Sequence, residues 1–206
     1  MHDVRYKAVL CDIDGVLRHW PPVEELELAH GLPPGTLAAA AFIPDRLIPA
    51  ITGLVTDEQW RAGIETAIAT KCGSRATARS VVSAWSNQLP VVDAEVVALL
   101  RAVRRSVPVA LVSNATTRLE DDLRRQGLDD LADAVVNSSR IGYAKPDPRV
   151  YISAAERVRT PVRQCLFIDD TAANVAAAQH VGMTAIHYRQ PSDLRDALAD
   201  LTRPAP

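Results

Sequence analysis

The feature that most restricts the fold is the pattern from Asp93 onward, where short apolar runs alternate with segments whose apolar residues recur every three or four positions. Val107 to Val112, Ala134-Val135-Val136, Cys165-Leu166-Phe167-Ile168 and Thr184 to Tyr188 read as strands. Asp93 can cap a helix whose inner face is Val96, Val97, Leu100 and Val103, and a second helix runs from about Thr117 to Gly127. Further helices are expected over Pro148 to about Arg159, over Ala172 to Val181 with a stop at Gly182, and from Asp193 onward. Strands that alternate with helices in this way predict a doubly wound α/β fold with a parallel sheet.

The first strand of that sheet lies far upstream. Lys7-Ala8-Val9-Leu10-Cys11 is a compact apolar run suited to a strand buried on both faces. After Trp20-Pro21-Pro22 the chain reads as helical to about Pro90. Thr56-Asp57-Glu58-Gln59 has the capping-box pattern, followed by Trp60, Ile64, Ala67 and Ile68 at helical spacing. Val81, Val82, Trp85 and Leu89 form a second stripe, and Trp60 and Trp85 are expected in packing roles. The organisation is thus a core of residues 1–17 and 91–206 with a small helical domain, 18–90, inserted after the first strand. Ligands of open parallel sheets bind beyond the carboxyl ends of the strands, so the insertion would hang over that site as a cap.

Composition limits the function classes. The 206 residues are 48% hydrophobic, enough for a sizeable core. Lys and Arg number 23 against 25 Asp and Glu, a net charge of −2 spread along the chain, which argues against nucleic-acid or membrane-surface binding. Cys11, Cys72 and Cys165 show no metal or redox spacing and read as reduced, buried, small apolar residues. No signal peptide or membrane span is evident, so the cytoplasm is the expected location. His2, His30, His180 and His187 have no ligand spacing.

Four polar clusters fall at strand ends: Asp12-Ile13-Asp14-Gly15, Ser113-Asn114 and Asp169-Asp170 directly follow apolar strands, and Lys145-Pro146-Asp147-Pro148 sits in the loop after the short strand near Val136. In a parallel sheet these ends converge. Asp12 and Asp14 would crowd each other without a cation, and together with the second acidic pair they offer hard oxygen donors suited to Mg²⁺. Zinc is disfavoured without Cys or His at ligand spacing. Ser113 supplies a hydroxyl and backbone N–H groups, and Lys145 a compact charge, which suits a phosphoryl group.

These clusters, in this order, resemble the four motifs of the haloacid dehalogenase superfamily, in its capped phosphatase-like branch. Asp12-Ile13-Asp14-Gly15-Val16-Leu17 resembles the first motif and Leu111-Val112-Ser113-Asn114 the second. Ala144-Lys145-Pro146-Asp147 resembles the third, and Phe167 to Asn174 the fourth. The resemblance implies a Rossmann-like core and a Mg²⁺-dependent phosphatase. Asp12 would attack phosphorus, and Asp14 would act as general acid and then base. Ser113, Asn114 and Lys145 would bind the phosphoryl group, and Arg18 and His19 would reach the leaving group. Asp12, the Asp14 carbonyl and Asp170 would hold the metal, with Asp169 behind them or as the alternative ligand, and Asn174 in support.

The substrate implied is a small phosphorylated metabolite such as a sugar phosphate. Asp14 favours phosphoryl transfer over 2-haloacid dehalogenation, which does not need an acid there. A phosphosugar mutase would use the same residues. A non-catalytic phosphate-binding protein is the remaining alternative, although such relatives usually lose one of these groups. Lys145→Ala is expected to weaken substrate use without unfolding the chain.

Overall fold

The computed structural model describes residues 6–202; His2 and the two ends of the expected core lie outside them. The central sheet is built from β1 (Ala8–Cys11), β4 (Val109–Ser113), β5 (Ala134–Asn137), β6 (Cys165–Asp169) and β7 (Thr184–His187). Its order is β5-β4-β1-β6-β7 and every pairing is parallel. β1 is therefore central, with Leu10 opposite Ala110 on one side and Phe167 on the other.

Strand alternation divides β1 between two cores. Val9 and Cys11 pack in a cluster with α6 (Ala94–Val103), α7 (Leu119–Arg125) and α11 (Pro191–Thr202). Ala8 and Leu10 face the other way, toward α9 (Pro148–Arg157) and α10 (Ala172–His180). Helices cover both faces, as the apolar runs require. The chain places β4 and β5 to one side of β1 and then β6 and β7 to the other. The crevice where the order reverses opens at the carboxyl end of β1, where Asp12 stands.

Between β2 (Arg18–His19) and β3 (Val91–Val92) the chain forms α1 (Glu24–Ala29), α2 (Thr36–Ala41), α3 (Pro44–Ile51), α4 (Asp57–Cys72) and α5 (Arg75–Asn87). Their buried residues, including Leu37, Trp60, Ile64, Ile68 and Val81, make a third cluster. The capping box is present: Gln59 N donates to Thr56 Oγ1 and Thr56 N to Gln59 Oε1. β2 and β3 pair antiparallel, bringing the two ends of the helical segment together.

Three local expectations fail. Leu89 lies beyond the end of α5 and is exposed, because the helix stops at Asn87. Cys72 ends α4 in an exposed position, unlike the buried Cys11 and Cys165. A short helix, α8 (Ser138–Ile141), follows β5 where the sequence suggests only a loop. Among the described residues no helix is long and apolar enough to cross a membrane.

Candidate active site

Asp12 directly follows β1, and its backbone N–H continues the ladder by donating to the Ile168 carbonyl at 2.8 Å. The residue is only 6% exposed. Oδ1 accepts from Ile13 N at 2.7 Å and lies 2.8 Å from Lys145 Nζ. The same ammonium donates to Asp169 Oδ2 at 2.7 Å and to the Val112 carbonyl at 3.0 Å. Lys145 thus comes from the loop before α9 yet joins the ends of three strands. Asn114 holds that loop: its side chain donates to the Lys145 carbonyl and accepts from the Lys145 N–H, at 2.8 and 2.7 Å. Asn114 therefore grips the backbone that carries Lys145, a role its place in the sequence does not reveal. Ser113 closes β4 in a buried position beside these groups.

Asp169 is wholly buried, and both of its oxygens are engaged. Oδ1 accepts from Thr171 N and Asn174 Nδ2 at 2.8 and 3.0 Å, while Oδ2 receives Lys145 and a longer bond from Asn174. Asn174 supports Asp169 and not Asp170. Asp170 is exposed, and its carboxylate accepts from the Thr171 hydroxyl at 3.2 Å. Its carboxylate lies against the backbone of Gly15, where φ is +93° and an added Cβ would stand 2.0 Å from Asp170 Oδ2. Only glycine suits such a position. The Asp170 carbonyl accepts from His187 Nε2 at 2.8 Å, a contact no spacing in the sequence announces.

Burial pushes the Asp12 carboxyl up to about 7, with Asp169 adding to the rise and Lys145 opposing it. The neighbouring carboxylates of Asp12 and Asp169 hold Lys145 above its usual range, despite the burial that works against its charge. Two buried carboxylates face one ammonium. Oxygens of Asp12, Asp169 and Asp170 also lie within 4.8 Å of one another. Excess negative charge and an all-oxygen donor set fit a hard divalent cation, and Asp170 offers the least engaged carboxylate.

Asp14 stands at the mouth. Arg18 Nε donates to its Oδ1 at 2.8 Å, and Trp20 Nε1 to the same oxygen at 2.7 Å. Arg18 is buried and also donates to Gln126 Oε1, while Gln126 Nε2 donates to the Pro90 carbonyl. The guanidinium is therefore spent within the protein, on Asp14 and on a residue 108 positions away. His19, by the alternation of β2, points outward and is exposed.

Beside Asp14 opens a cavity of about 290 Å³ between the helical segment and the loop after β4. Its walls include Trp20, Phe42, Trp60, Arg61 and Trp85. Trp60 and Trp85 do pack with the helices, as expected, and also line this space. Asp57 joins the two sides: its N–H donates to Thr117 Oγ1 and its Oδ1 accepts from Thr116 Oγ1, at 3.0 and 2.7 Å.

Residues 6–182 match the family model described as haloacid dehalogenase-like hydrolase. The chain is 37% identical over 103 residues to Phosphatase MT3486 of Mycobacterium tuberculosis, an alignment covering 49% of this chain and 48% of that protein. The chain spans about half the length of the curated relatives it matches. A predicted HAD-like family hydrolase from Porphyromonas gingivalis has a similar structure, with a TM-score of 0.73 and 21% identity over 98% of this chain and 100% of that one. The HAD family enzyme bt-2542 of Bacteroides thetaiotaomicron, in complex with magnesium and inorganic phosphate, gives a TM-score of 0.66 and 20% identity over 89% and 94%. At such identities these two likenesses concern the fold.

Proposed function

Because the chain belongs to the haloacid dehalogenase-like hydrolases, we propose that it is a Mg²⁺-dependent phosphatase acting on a small phosphate monoester through an aspartyl phosphate on Asp12. The observation that carries this reading is the Asp12–Lys145–Asp169 group at the reversal point of the sheet, with Asp14 two residues beyond. The phosphatase relative agrees with it.

Asp12 Oδ1 is held by Ile13 N and Lys145, which leaves Oδ2 to attack phosphorus. Attack forms the Oδ2–P bond as the ester P–O bond breaks, and Asp14 gives the departing oxygen its proton. Asp14 then takes a proton from the water that cleaves the aspartyl phosphate, releasing phosphate and restoring Asp12. Arg18 and Trp20 fix the carboxyl of Asp14 for both transfers. Ser113 binds the phosphoryl group and the Lys145 ammonium stabilises its charge, and Asn114 positions Lys145 for that task. Asp12, the Asp14 carbonyl and Asp170 would hold Mg²⁺, whose positive charge would offset repulsion between Asp12 and the phosphate. Residues 18–90 act as a cap domain, and Asp57 with Thr116 and Thr117 fastens it beside the site.

Release of inorganic phosphate from a simple monoester such as p-nitrophenyl phosphate tests the reading. Turnover should require Mg²⁺, stop with a chelator and return when the metal is restored. Absence of any release from metal-loaded protein contradicts it, and retention of phosphate within an isomerised product would indicate a mutase.

A further inference from the structure

The cavity beside Asp14 has a chemistry that the sequence-based expectation of a sugar phosphate does not match. Trp60 and Trp85 stand with ring centroids 5.6 Å apart, and Phe42 lies 6.4 Å from each. Trp20 forms a wall next to the general acid, since its indole N–H is fixed on Asp14 Oδ1. Aromatic faces therefore lead away from the reacting end.

The charged groups in the wall are matched within the protein. Arg61 is bound to Asp57 at 2.6 Å, and its guanidinium lies 5.6 and 5.0 Å from the Trp60 and Trp85 rings. Arg18 is bound to Asp14, and Asp122 accepts from Arg118 at 2.9 Å. A polyhydroxylated body entering here would exchange water for aromatic faces and for polar groups that already hold partners, leaving fewer of its hydroxyls matched than in water. A second phosphate would find each lining guanidinium already paired with a carboxylate. An apolar body loses nothing of this kind and gains the burial. The volume of about 290 Å³ lies at the lower end of ligand sites, so the body is small.

We propose that the substrate is a phosphate monoester of a small apolar alcohol, aromatic or isoprenoid, whose hydrocarbon body lies against Trp20, Phe42, Trp60 and Trp85. This inference rests on the phosphatase reading. The test is kcat/KM of the Mg²⁺-loaded full chain for 2-phenylethyl phosphate, citronellyl phosphate, glucose 6-phosphate and glycerol 3-phosphate. All four are primary alkyl esters, so leaving-group reactivity is matched. One or both apolar esters should exceed the polar pair by at least about tenfold, and the faster of the two identifies the source. In Phe42→Ala, and in Trp85→Leu as a second variant, the ratio of apolar to polar kcat/KM should fall by about tenfold. Equal or better use of the sugar esters, or an unchanged ratio in both folded variants, overturns this inference alone. Release from none of the four overturns the phosphatase reading with it.

Discussion

Arg18 Nε meets Asp14 Oδ1 at 2.8 Å from a buried position, so the proposed general acid is steered by a residue that is itself held within the protein by Gln126. Arg18→Ala should lower kcat by about 10- to 100-fold through misplacement of Asp14. KM should stay close to the wild-type value, because the guanidinium is directed to Asp14 and Gln126 within the protein. A raised KM with kcat preserved would instead mark Arg18 as a substrate contact.

Lys145→Ala should destabilise the protein as well as impair it. The sequence suggests that stability would be spared, but the ammonium lies between Asp12 and Asp169. Its removal leaves two buried carboxylates facing each other, at a cost of about 3–5 kcal/mol at pH 8 without metal. At pH 5 a proton on Asp12, whose carboxyl already sits at about 7, takes over part of the neutralisation. Thermal melts at both pH values should therefore show the smaller loss at pH 5. Equal losses, or none, would contradict the arrangement.

Mg²⁺ should stabilise the protein more at high pH. Burial raises Asp12 to about 7 in the folded chain, against roughly 3.9 when unfolded. The stability linked to that proton is thus fully present below about pH 4 and lost as pH rises through about 7. Mg²⁺ must displace the same proton, so its apparent affinity should fall by about 16-fold between pH 7 and 5.5. The rise in melting temperature at fixed Mg²⁺ should shrink accordingly, and a pH-independent rise would remove Asp12 from the ligand set.

The parallel sheet was legible because its strands are buried on both faces and so carry dense apolar runs ending in polar residues. Asp93, Thr56 and Gly127 mark helix ends through local chemistry, and the structure bears out all three. What local chemistry cannot carry is pairing over distance. Arg18 and His19 form a strand only because Val92 and Val91 lie opposite them. Arg18 looks like a surface residue near a site until Gln126 and Asp14 enclose it. In the same way Asn174 stands four positions after Asp170, the spacing that suggests support of that residue, and only the turn at Thr171 directs it to Asp169. The cavity needed three-dimensional information as well, since Trp60 and Trp85 read singly as packing residues and nothing local brings Phe42 to them.

Asp12→Asn measures the central claim most directly. It keeps the shape of the side chain while removing the attacking oxygen's charge. With Mg²⁺ and p-nitrophenyl phosphate, phosphate release should fall by at least about a thousandfold against wild type, with the fold intact by circular dichroism. Equal release by the two proteins would contradict covalent catalysis at Asp12 and the account built on it.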